Sequence, residues 1–195
     1  MLKDIRPALV SMILFTAILG LGYPLAMTGL IGAIFPSQAA GSLIKDAKGQ
    51  IVGSNLIAQG FAKPEYLHPR PSAAGNGYDP MNSGGSNLGP LDKKLSDRIK
   101  GDAATMAKDA GGRPIPADAV TTSGSGLDPD ISPENAYLQS TRVAAHRGLT
   151  PQTVDAIIAA NTQGPALGFI GQPRVNVLAV NRALDERYPV AQPKG

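Results

Sequence analysis

Residues 8–35 read ALVSMILFTAILGLGYPLAMTGLIGAIF, and no charged residue occurs from Pro7 to Ile44. As an α-helix these 28 residues would reach about 42 Å, whereas about 20 residues cross a bilayer core. The segment is long enough to span with tilt and emerge as a short stalk. Pro24 lies inside it and removes one N–H from the helical ladder, so a kink is expected there. A buried core helix of this length suits a small domain poorly. A cleaved signal peptide is the better rival, because Ser37-Gln38-Ala39 places small residues where a cleavage site needs them. The apolar run is, however, about twice the usual h-region of roughly 7–15 residues. The reading is therefore a cytoplasmic N-terminus at 1–7, a retained transmembrane helix at 8–35 and a soluble domain at 36–195.

Lys3 and Arg6 sit against one end of the span, while the first cation beyond the other end is Lys45, ten positions past Phe35. The immediate flank favours an inside N-terminus and a translocated domain, which in a bacterium is periplasmic. Gly22 with Ala26, and Gly29 with Ala33, repeat small residues at four-residue spacing. Such pairs let helix backbones approach closely inside a membrane, so this face is a candidate contact with another membrane helix.

Outward from the span, 43% hydrophobic residues exclude wholesale disorder, and 23 Gly with 17 Pro predict a fold rich in turns. A net charge of +3, no basic run and 5% aromatics argue against a nucleic-acid partner. Zero Cys excludes disulfides, thiolate zinc sites and thiol catalysis, and suits an oxidising compartment. The soluble part reads as one α/β domain, α+β-like and loop-rich. Two strands are expected around Lys48-Gly49, then a long irregular stretch from Lys63 to Pro90. A helix carries the stripe Leu91, Leu95, Ile99, Ala103 and Met106 and stops at Gly111-Gly112. Ser132-Pro133 and Thr150-Pro151 each look like a cap followed by a first helical proline. Gly148 closes the first of these helices, and Gly164 stands beyond the second. A short strand at Val175 and Val177 leads into a terminal helix through Leu184 and Tyr188.

Two Gly/Ser loops feed helix starts: one holds Asn82, Ser83, Gly84, Gly85 and Ser86, the other Ser123, Gly124, Ser125, Gly126, Asp128 and Asp130. Exposed N–H groups at a helix start can bind an anion. Neither loop has the Lys of a phosphate-binding GxxxxGK[ST], and the aspartates would repel phosphate. Turn-and-cap architecture ranks first, a protein interface second. With Asp79, the acidic residues could also bias a nearby cation path. A membrane-anchored periplasmic hydrolase would take Ser125 as nucleophile and His146 as base, but no G-x-S-x-G elbow occurs. The two His and scattered carboxylates have no metal-ligand spacing.

Four stretches carry a family resemblance: RPSAAGNGYDPMNSGGSNLGP, TTSGSGLDPDISP, RVAAHRGL and LGFIGQPRVNVLAVNRALD, behind one span containing GYPL. In this order they resemble the C subunit of the bacterial potassium-transporting P-type ATPase over nearly the whole chain. The resemblance implies a single-pass inner-membrane subunit, with no catalytic residues of its own. Its partners would be a potassium-conducting A subunit, an ATP-hydrolysing B subunit, a small F subunit and membrane lipid. It further implies a role in stabilising the assembly and, as a catalytic chaperone, in raising the B subunit's ATP affinity. ATP and potassium would belong to the complex, with no cofactor bound by this chain. The family's usual His residues are replaced here by Asp130 and Asn161. A periplasmic domain would influence ATP binding only through a coupling free energy carried by the membrane helices.

Overall fold

The computed structural model of the chain describes residues 2–46 and 48–190. Met1, Ala47 and residues 191–195, which the sequence reading places in the N-terminal tail and the soluble domain, lie outside the described residues. The chain divides into two units, Met1–Ser54 and Asn55–Gly195.

In the first unit, α1 (Leu2–Phe15) continues through a π-helical stretch, Thr16–Gly22, into α2 (Tyr23–Ile34). From Lys3 to Ile34 it is long and apolar enough to cross a membrane, and none of its most apolar window is buried. The expected disturbance at Pro24 takes a specific form. Proline has no N–H and its ring collides with the carbonyl four residues back. The helix widens just before it, so that the Tyr23 N–H reaches Ile18 O, five residues back. Gly22, Ala26, Gly29 and Ala33 lie beyond most of this stretch, at steps of four, three and four, and so share one face. A four-residue helix, α3 (Pro36–Ala39), leads to the antiparallel hairpin of β1 (Leu43–Lys45) and β2 (Ile51–Ser54). Its turn is tied by Asp46, whose carboxylate accepts from the Lys48 and Gln50 N–H groups.

The second unit is built on α5 (Pro133–Arg147), α6 (Pro151–Ala160) and α7 (Val177–Arg187). They enclose Val143, Val154, Ile158, Val180 and Leu184, with Leu67 from the preceding loop at 0% exposure among them. The predicted caps hold: Ser132 Oγ accepts from Asn135 N, Thr150 accepts from Thr153 N, and Gly148 closes α5 at φ +66°. A small antiparallel sheet runs in the order β3 (Asp130–Ile131), β5 (Arg174–Asn176), β4 (Thr162–Gln163). Tyr188, read as part of the terminal helix, is its C-cap, since α7 ends at Arg187, and two further boundaries differ from the sequence reading. Val177 opens α7 instead of extending the strand, because Asn176 caps that helix by accepting from Ala179 N. The long helix α4 (Lys93–Ala110) starts at the Asp92 cap, which leaves Leu91 outside it and 99% exposed. The mixed helix-and-strand architecture with one apolar N-terminal helix is as expected.

Candidate interaction site: a braced pair of loops and the groove beside them

The two Gly/Ser loops, some forty residues apart in sequence, meet in space. Gly84 N donates to Ser125 O at 2.8 Å, and Ser83 Oγ donates to the same carbonyl at 3.0 Å. Gly126 explains why glycine is needed at the junction. Its φ is +67°, and a Cβ there would stand 2.6 Å from Gly84 O and 2.7 Å from Ala74 N. Ser72 Oγ donates to Gly126 O and accepts from the Tyr78 N–H, and the Tyr78 hydroxyl donates to Arg70 O. Arg70 completes the brace by reaching Thr121 O, Thr122 O and Asp128 Oδ2. Gly124 and Ser125 remain exposed, as do Asn82 and Ser83, whereas Gly84, Gly85, Ser86 and Ser123 are half-covered.

The acidic residues are satisfied internally. Asp79 accepts from Asn82 Nδ2 and Met81 N, which holds its carboxyl below the usual range. Asp128 accepts from Asp130 N and pairs with Arg70 at 3.1 Å. Asp130 pairs with Arg174 at 3.0 Å and accepts from Asn176 Nδ2. Burial nevertheless raises the Asp130 pKa, aided by the Asp128 carboxylate and outweighing Asn176 and the half-exposed Arg174. Neither aspartate caps α5. That role falls to Ser132, itself gripped by Asp118 through its N–H at 2.8 Å and its hydroxyl at 2.9 Å. Asn161 ends α6 by donating from Nδ2 to Ile157 O.

Beside the loops lies an open groove of about 1120 Å³, lined by Pro114, Ile115, Pro116, Tyr137, Leu138 and Pro173 together with Arg113, Glu134 and the Asp128 and Asp130 ion pairs. The hydrolase constellation does not assemble. Ser125 Oγ accepts from Leu127 N and lies 3.4 Å from Ser123 Oγ, while His146 Nδ1 meets Arg142 O of its own helix. His68 turns its Nε2 to Lys63 O. Among the described residues, no group of three His, Cys, Asp or Glu side chains could hold a metal ion.

Sequence reasoning missed a set of polar side chains that grip the segment 64–68. Asn181 both accepts from Leu67 N and donates to Leu67 O; Gln139 does the same for His68. Arg142 donates to Pro64 O and Tyr66 O and pairs with Asp109 at 2.7 Å. Arg147 donates to Glu65 O and lies 5.0 Å over the Tyr66 ring. The available signal was a polar stripe at Asn135, Gln139 and Arg142 on the inner face of α5, helical spacing that reads as solvent-facing until its backbone partners are known.

The family model described as K+-transporting ATPase, c chain, matches residues 5–186. A potassium-transporting ATPase KdpC subunit from Caulobacter vibrioides is 65% identical over 189 residues, covering 97% of this chain and 96% of that one. Proteins of the same description from Beijerinckia indica and Koribacter versatilis are 56% and 46% identical, with at least 98% of each chain covered. The motifs that resembled this family sit, in the structure, in the braced loops, along α5 and from the 166–170 turn into α7, and the chain belongs to the family of the potassium-transporting ATPase c chain.

Proposed function

We propose that this chain is a non-catalytic accessory subunit of an ATP-driven potassium-uptake complex. It spans the bacterial inner membrane once, with its N-terminus in the cytoplasm and residues 36–195 in the periplasm. It stabilises the assembly of the potassium-conducting A and ATP-hydrolysing B subunits, alongside the small F subunit. ATP and potassium are handled by those partners, and any rise in ATP affinity reaches the B subunit as a coupling free energy. The observation that carries this reading is the family match along residues 5–186, which runs through the apolar helix and the domain alike.

Within that role, the face of Gly22, Ala26, Gly29 and Ala33 packs on a membrane helix of the complex. The exposed parts of the two loops, Asn82 and Ser83 in one and Gly124 and Ser125 in the other, meet a partner outside the bilayer. Gly29 offers the cleaner test, because a Cβ there meets nothing within 4 Å, whereas one at Gly22 approaches Ala17 O at 3.4 Å. Gly29→Leu should weaken co-purification of the A and B subunits by about 0.5–2 kcal/mol while the domain's melting point stays fixed. Normal assembly of a Gly22→Leu, Gly29→Leu variant would reduce the helix to an anchor. Orientation is read separately with Lys48→Cys, a single thiol at an exposed turn position. It should react with an impermeant maleimide in whole cells; reaction only after lysis would reverse the topology.

A further inference from the structure

Between β4 and β5 the chain forms an exposed arm without a charged residue from Thr162 to Pro173. Its tip presents Leu167, Phe169 and Ile170 at 82%, 77% and 53% exposure. Single exposed apolar residues are ordinary, but three within four positions form a patch. The arm is also conformationally defined. Ala166 N donates to Ile170 O at 2.8 Å, Ile170 N donates back to Ala166 O at 2.9 Å, and Gly168 N donates to Pro165 O. Leu167 is held at φ +54°, a left-handed conformation that a leucine rarely adopts.

We propose that this tip is a docking finger, which inserts Phe169 and Leu167 into a preformed, charge-free apolar pocket on another protein of the transport assembly. The inference rests on the accessory-subunit reading. The turn already pairs the N–H groups of Ala166, Gly168, Phe169 and Ile170, which lowers the cost of carrying the tip into a dry site. The uncharged arm matches an uncharged surface. A fluid bilayer rewards apolar area without fixed direction, so it gives no return for the constrained leucine, and the one cation flanking the arm, Arg174, is already paired with Asp130 instead of being free to draw the tip to anionic headgroups. A shaped protein pocket rewards both, with the aromatic as its anchor.

The test uses the full-length chain and recovery of the other subunits from detergent-solubilised membranes. Leu167→Ala with Phe169→Ala should cut that recovery about tenfold or more, insensitively to added salt, with the domain's melting point unchanged. Wild-type recovery by this variant overturns the finger alone. If the wild-type chain itself recovers no other subunit, the accessory reading fails and the finger falls with it. Phe169→Trp supplies the sole tryptophan in the chain. In vesicles of brominated phosphatidylcholine holding only this chain, its emission should stay water-like and unquenched, and shift to the blue when the complex assembles. Quenching by the brominated lipid in the chain alone would instead assign the tip to the membrane surface.

Discussion

The N-terminal helix and the α5–α7 core invert one another. Along Lys3–Ile34, large apolar side chains such as Met12, Ile13 and Leu25 are 64%, 66% and 70% exposed. In the domain, Asn135, Gln139 and Asn181 are each 1% exposed. Both arrangements follow from one rule: a group is placed where its interactions can be satisfied. The helix satisfies its backbone internally and leaves its side chains to hydrocarbon. The domain buries amides because an irregular segment runs through its centre, and that segment's N–H and C=O groups would otherwise be orphaned. Apolar exposure marks the N-terminal helix, and polar burial marks the core of the second unit.

The contrast breaks most visibly at Asn181. Asn181→Ala strips both partners from Leu67, which is fully buried, so chemical denaturation of the detergent-purified chain should show a loss of about 3 kcal/mol. A loss below 1 kcal/mol would mean that water replaces the amide and that the grip is incidental. Gly126→Ala should cost about 2 kcal/mol, since the new methyl meets backbone atoms of both Gly84 and Ala74 at a positive φ. An unchanged melting point there would show that the two loops are not braced as a unit.

The acidic pair gives a smaller and asymmetric effect. Asp128→Asn removes the Arg70 ion pair and should cost about 1 kcal/mol. Asp130→Asn should cost less. Its raised pKa means the folded state holds the proton more tightly than the unfolded chain, so its ionisation lowers stability as pH rises through the acid range. With each carboxylate already beside an Arg, the expected rise in apparent KM for potassium, seen mainly at low salt, is modest. A larger penalty for Asp130→Asn than for Asp128→Asn would reverse this ranking.

The subtlest test concerns His68, whose pKa is lowered by burial and then by the Arg142 guanidinium. The unfolded chain therefore takes up the proton first. Stability should be fully present above the ordinary imidazole pKa and decline as pH falls below it. His68→Gln should flatten that slope. A slope that survives the substitution would point to another group.

The sequence by itself determined the features that depend on local composition. An uncharged apolar run of this length is long enough to cross a bilayer, whatever the rest of the chain does. The helix starts at Ser132 and Thr150 and the stop at Gly148 were also legible, because a cap is settled by residues within one turn. Tertiary structure alone decided that the Gly/Ser loops close on each other, that Asp128 and Asp130 answer to Arg70 and Arg174, and that Asn181 and Gln139 face inward. Each of those contacts joins residues 44 to 114 positions apart or unites two loops through backbone atoms. A polar side chain's pattern along a helix is the same whether it faces water or a buried peptide group. Only the fold supplies the partner, and the partner decides whether burying it costs or contributes stability.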